Sequence, residues 1–303
     1  MKDQHSQGQA TQFSLRKQLT IFNEDYFQAI LESLQSIHDF EELTAKCQFF
    51  CKQIGDLSCE TLTLDGNIDM EIDNKAVVLL PDNISISTLS PIAVPAYGDC
   101  MPHSGSVLAF GDASRPMEVR ARICMELVLY MDVYLNPDHL KQGSTLSDAQ
   151  ARSLPTTYCM FSDMYIPGSK LDKSKIKQTF IEEVKSVLKP NTYMGIWQIF
   201  ALSSILHKPV QSVYPQRGNP NVRKDLNRLI YPRSNDSTGA CTEIAFLMWT
   251  STRNDMGRRH WVPNHLVPLV DLHSRDKTDI KPVSLKDRYV LTNTIDHFHQ
   301  LKY

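Results

Sequence analysis

The sequence predicts an α+β fold, and three observations lead to it. Apolar residues recur every three or four positions through much of the first two thirds of the 303-residue chain, which is the spacing of packed helices. Short strand-like runs gather late, at Val210 to Tyr214, Glu243 to Thr250 and His260 to Val270. The order is therefore helices first and strands after, with no internal repeat and no glycine-rich phosphate loop, which argues against a doubly wound parallel sheet.

Each element has its own signal. Met1 to Gln12 is polar and reads as a disordered lead. From Phe22 a helix is expected, with Tyr26, Phe27, Ile30, Leu31, Leu34 and Ile37 on one face, Asn23 as N-cap and Glu24 and Asp25 in the first turn. A second helix starts near Asp39, turns Phe40, Leu43, Cys47, Phe50, Cys51 and Ile54 inward, and stops at Gly55. The two form an N-terminal helical hairpin.

Between Leu57 and Val94 the signals are strand-like: Leu62 and Leu64 alternate with threonines, Ala76 to Leu80 is a short apolar run, and Pro81-Asp-Asn83 is a turn. A short helix fits Ser104 to Phe110, closed by Gly111. Ser114 to Leu135 carries the strongest helical pattern, with Ser114 as cap, Pro116 in the first turn, and one stripe from Met117 through Ala121, Cys124, Val128 and Met131 to Leu135. Asn136-Pro137 stops it.

Gly143 to Gly168 reads as loop with a single short helical turn, and Asp172 to Leu188 as an exposed amphipathic helix. Gly195 to Leu206 is a compact apolar helix, ended by Pro209. The strand from His260 is interrupted by prolines, so it is expected to be short and near a sheet edge. The tail after Leu272 is charged and weakly patterned.

Composition narrows the function classes. Hydrophobic residues make up 42% of the chain and charged residues 22%, as in ordinary globular proteins. A formal net charge of -2 supplies no global attraction to nucleic acid or anionic membrane. No apolar run approaches the roughly 18 residues of a membrane span, and the first twenty residues lack the apolar core of a signal peptide. No membrane partner is expected. Seven irregularly spaced cysteines do not form a disulfide framework and favour a reducing compartment, cytosol or nucleus. Cys47, Cys51 and Cys59 have no further Cys or His pair at zinc spacing, so neither a metal nor a cofactor is expected.

One stretch proposes chemistry. In Val94-Pro-Ala-Tyr-Gly-Asp-Cys100 a cysteine follows a Gly-Asp turn and opens a helix, where a thiol can be activated by the helix N-terminus. His260, in Arg258-Arg-His-Trp-Val-Pro-Asn264, is the candidate base. Asp99 and Asn264 are candidates to orient that imidazole, and His103 and His265 are weaker candidates for the base itself. The plain alternative is a buried thiol and a strand histidine bonded for structure. A second feature is the run Arg217, Arg223, Lys224, Arg228 and Arg233, interleaved with Tyr214 and Tyr231. It suggests a nucleic-acid or partner surface, against the commoner case of a solvated charge run.

The order of Gly98-Asp-Cys100, the long helix from Pro116, the Trp197 helix followed by Val210-Gln-Ser-Val-Tyr214, and His260 resembles the ovarian-tumour (OTU) domain. A closer resemblance, over roughly residues 20 to 270, is to the OTU-like region of the vertnin family. It is carried by Met117-Glu-Val-Arg-Ala-Arg122, the segment Gly195 to Leu206, Val213-Tyr-Pro-Gln-Arg217, Leu226-Asn-Arg-Leu-Ile-Tyr-Pro-Arg233 and Leu247-Met-Trp249.

The resemblance implies a papain-like cysteine-protease fold with Cys100 facing His260. It divides the chain into a lead (1–20), the hairpin (21–56), an OTU-like domain (57–270) and a polar tail (271–303). It further implies an intracellular protein, nuclear or otherwise cytoplasmic, in transcriptional regulation, with DNA or chromatin as candidate partners. OTU enzymes release ubiquitin, so ubiquitin or another protein is the alternative partner. The site departs from the active pattern: Tyr97 stands where an acid is usual, Pro102 where a bulky apolar residue is usual, and Val262 where an Asn or Asp orients the histidine. The expectation is a regulatory or interaction protein, a pseudoenzyme on an OTU fold. The alternatives are an active deubiquitinase using Cys100 and His260, or a domesticated mobile-element peptidase.

Overall fold

A computed structural model of the chain describes residues 24–59, 70–81, 89–234, 243–253 and 261–271. The N-terminal hairpin is helix α1 (24–35) and helix α2 (Phe40–Ile54). Asp39 caps α2 by accepting from Glu42 N–H, and Gly55 ends it at φ 61°, a conformation that suits glycine. A short helix α3 (Asn74–Val77) and strand β1 (Leu89–Pro91) come next. Helices α4 (Cys100–Phe110), α5 (Pro116–Leu129), α6 (Met131–Tyr134), α7 (Pro137–Lys141), α8 (Asp148–Ala151), α9 (Leu154–Phe161), α10 (Lys173–Val187) and α11 (Ile196–Leu206) follow. The chain then gives β2 (Val210–Val213), α12 (Pro220–Leu226), β3 (Arg228–Ile230), β4 (Ala245–Thr250) and β5 (His265–Asp271).

Among the described residues, five strands form one mixed sheet in the order β1-β5-β4-β2-β3. In it β2 and β4 run parallel, and the other neighbours are antiparallel. α4 lies on β5, α11 lies on β2, and both meet α5, which also carries α2 and α10. α5 is thus the hub of the helical layer. Its middle is enclosed on all sides even though it carries charged residues, and every residue of α11 is buried, as expected of a helix such as α11 without a charged face. Phe27, Ile30, Leu31, Leu34, Leu43 and Cys47 of the hairpin belong to the same core as Val267 and Leu269 of β5.

Several expectations are corrected. Ala76 to Leu80 is not a strand: Asp73 accepts from the N–H groups of Lys75 and Ala76 and turns the segment into α3. Ser114 does not cap α5, because its N–H and hydroxyl both go to Asp112. Glu24 of α1 takes that role across the hairpin, accepting from the N–H groups of Met117 at 3.0 Å and Glu118 at 3.2 Å. The long helix breaks at Tyr130, and Asn136 caps α7 instead of ending a single helix at Leu135.

Part of the expected loop is α9, with Leu154, Tyr158 and Cys159 buried. Strand β5 is not at an edge but lies between β1 and β4. Pro268 is tolerated there because its carbonyl still accepts from Ile92 N–H at 3.0 Å, so the ring removes only a donor. The expected lead, the Asn23 cap, the Leu62–Leu64 alternation and the tail after Leu272 fall outside the described residues.

Candidate active site

Cys100 is the first residue of α4, and Asp99 before it makes no side-chain cap. The thiol is 2% exposed and lies against β5. N–H groups of Leu266, Met101 and Cys100 itself are directed at the sulfur. They would stabilise a thiolate, but burial outweighs them, and with the nearby Asp99 charge it pushes the thiol up to about 11. At neutral pH only about one molecule in ten thousand would carry the thiolate. Burial acts against the helix terminus here, and burial wins.

The corner before Cys100 is held from beneath by Arg120 of α5, whose side chain is fully enclosed. Its guanidinium donates to the carbonyls of Val187, Lys189, Gly98 and Thr192 and to the Asp99 carboxylate at 2.5 Å. Asp99 also accepts from Asn191 N–H at 3.0 Å, and the Asn191 amide, with nitrogen facing the corner, donates to Asp99 and to Tyr97 carbonyl. Gly98 sits at φ 86° with the Asn191 backbone 2.3 Å from where a Cβ would stand. Asp99 therefore ties the corner down and is not free to orient a histidine.

Asn264 is likewise committed. Its Oδ1 accepts from Thr252 N–H at 3.0 Å and its Nδ2 donates to Thr252 Oγ1 at 2.9 Å. His260 lies outside the described residues. Among the described histidines, His103 is bonded through Nδ1 to Ala113 carbonyl at 2.9 Å. His265 opens β5, next to the Leu266 N–H that faces the sulfur. It is 4% exposed, and burial holds it below the usual imidazole range. Its Nδ1 has no hydrogen-bond partner among the described residues.

The basic run divides in two. Arg228 is buried, donates to Tyr158 OH and Gln142 carbonyl, and stacks over Phe200. Arg233 pairs with Glu126 at 2.8 Å and lies 3.4 Å over the Tyr130 ring. Arg228 faces inward, which corrects its placement on a binding surface, while Arg233 is half-buried. Arg217 and Lys224 are exposed, and Arg223 is half-buried and donates to Arg217 carbonyl.

Sequence reasoning missed Arg120, Asn191 and Glu24. Arg120 had a visible signal, a charge inside an otherwise apolar helix face. Asn191 and Glu24 had none, since their roles depend on partners about 90 residues away.

Cys100 at the start of a helix packed on β5 of a mixed sheet is the arrangement that the resemblance to an OTU-type domain implies. The family model for the vertnin OTU domain matches residues 91–250, more than half of the chain. The chain belongs to the vertnin family. It is 29% identical to the vertnin of Ailuropoda melanoleuca over 180 residues, covering 59% of this chain and 24% of that protein. It is 25% identical to the human vertnin over 213 residues, covering 70% of this chain and 29% of that protein, and 24% identical to the vertnin of Danio rerio over 162 residues, covering 54% and 22%. The chain spans about a quarter of the length of these relatives.

Proposed function

We propose that this chain is a regulatory or interaction module built on an OTU scaffold, linked to transcriptional regulation in the nucleus, in which Cys100 serves the core and not catalysis. The observation that carries this reading is the enclosure of Cys100: 2% exposed, its pKa pushed up to about 11, on a corner clamped by Arg120. A thiol protease needs a thiolate near neutral pH and a base within hydrogen-bond reach. Asp99 and Asn264, the two residues that stood in for an orienting group, are bonded elsewhere. The nuclear and transcriptional part rests on the family alone.

The second reading is an active OTU-type deubiquitinase. It is favoured by the three N–H groups around the sulfur, which would serve a thiolate if the corner opened. A ubiquitin activity probe under reducing conditions separates the two. The module reading expects no label on the wild-type chain. Label that disappears in Cys100→Ala would overturn it and establish the enzyme.

A further inference from the structure

Helices α10 and α11 are joined by residues 188–195, and this linker meets the corner that carries Cys100. Its ends are anchored in the core by Leu188 and Met194, both buried. Between them Lys189, Asn191 and Tyr193 are exposed, and Pro190 and Thr192 are half-buried. Polar bonds hold this stretch. The carbonyls of Lys189 and Thr192 accept from Arg120 at 2.9 and 3.2 Å, and Asn191 N–H donates to Asp99 at 3.0 Å. The Asn191 amide donates to the Tyr97 carbonyl and to Asp99. The Asn191 backbone comes so near Gly98 that a Cβ there would stand 2.3 Å from it. Every one of these partners is either among the three residues before Cys100 or the side chain that clamps them. Partial burial and the charge of Cys100 raise the Tyr193 phenol, so that ring is within electrostatic reach of the sulfur.

Two elements flank the corner, and they differ in what it takes to move them. β5 packs on α4, is paired on both sides by β1 and β4, and buries Leu266, Val267 and Leu269. Parting it from α4 breaks sheet and core together. The linker presents five residues in a row without a buried side chain. Asn191 within it stands at φ 58°, a left-handed conformation that a residue other than glycine holds where its surroundings impose it. Segments with few buried apolar contacts open at a fraction of the free energy of global unfolding.

We propose that residues 189–193 form a strap that shuts the Cys100 corner, and that the strap opens as a unit while the core stays folded. Closed, the thiol belongs to the core. Open, the thiol and the N–H groups of Leu266, Met101 and Cys100 directed at it are presented to solvent. This rests on the module reading above, in which the resting thiol is shut away, and adds that the enclosure is reversible.

Native-state thiol labelling tests it. The full chain is exposed to iodoacetamide across a series of low urea concentrations, and each cysteine is followed by peptide mass spectrometry. Cys124, fully buried in α5, reports global unfolding, so its rate should climb steeply with urea. Cys100 should react faster than Cys124 and with little dependence on urea, as a local opening does. Asn191→Pro loses the N–H that Asp99 accepts and cannot adopt φ 58°. It strains the closed strap, so Cys100 should react about tenfold faster while staying insensitive to urea. Ile30→Val, a core change on α1, should speed Cys124 about fivefold and leave Cys100 unchanged. Equal urea dependence at Cys100 and Cys124 in the wild-type chain, or a Cys100 rate that follows Cys124 in Ile30→Val, would overturn the strap and leave the module reading intact. Labelling of Cys100 by the ubiquitin probe would instead overturn the module reading and leave the strap standing.

Discussion

Arg120 ties separate segments of the chain together through a single side chain. One enclosed guanidinium gathers the C-terminus of α10, the loop that follows it and the Gly98-Asp99 turn. Removing one partner of a buried ion pair leaves the other uncompensated, so Arg120→Met should cost about 3–5 kcal/mol in chemical denaturation. Arg120→Lys keeps the charge but offers one point donor where a fork of five N–H groups is used, and it should recover only part of the loss.

Glu183 is the second decisive residue. It is buried on α10 with Oε2 unpartnered among the described residues. Burial, aided by the Asp163 charge, raises its pKa to about 7 against the pull of Ser162 and Gln198. A carboxyl whose folded pKa exceeds its unfolded value contributes stability in full below about pH 4.5 and loses it as pH rises through about 7. The loss for this enclosed group is on the order of 3 kcal/mol. Glu183→Gln should therefore be more stable than wild type at about pH 8 and nearly equal at about pH 5, measured by urea unfolding at both. A wild-type advantage at the higher pH would refute this account.

At the scale of elements, helix ends explain most of the differences between pattern and fold. α5 begins without a cap of its own, and α1 supplies one through Glu24. Glu24→Ala should cost about 1 kcal/mol, the usual worth of an N-cap, while Ser114→Ala, which loses an exposed hydroxyl bond to Asp112, should cost less than half of that. Thermal melts of the two variants compare them directly. Glu24 is also raised to about 7 by burial, so it adds to the pH slope of Glu183 with the same sign.

α1 and α2 were legible because their period has an exposed side to contrast with the buried one. α11 was legible as a helix, but its complete burial was not, since an apolar helix looks the same on one wall or between several. α3 was misread because a short run of apolar residues does not distinguish a strand from a turn of helix; the cap at Asp73 decides it. β5 was expected at an edge because of its prolines, yet a proline whose carbonyl is still used fits inside the sheet.

At the scale of the molecule, the hairpin and the OTU-type domain share one core. A truncated chain beginning at residue 57 would uncover the face of α5 that α2 covers, along with the start of α5 that Glu24 caps. That chain should aggregate or lose cooperative unfolding, as circular dichroism melts and size-exclusion chromatography would show. Independent folding of the shortened chain would mean that the hairpin is an accessory.

The sequence by itself determined the helical hairpin, the late strands, the Gly-Asp-Cys100 corner and the family, because periodicity, turn residues and short strings are local and survive in one dimension. It did not determine what surrounds Cys100. The tertiary structure decided that the thiol is enclosed, that Asp99 belongs to Arg120, that Arg228 is buried against Tyr158, and that Arg233 pairs with Glu126. Those outcomes depend on desolvation and on partners brought together from distant parts of the chain. A residue type names the chemistry available to a side chain; burial and partners decide which part of that chemistry is used.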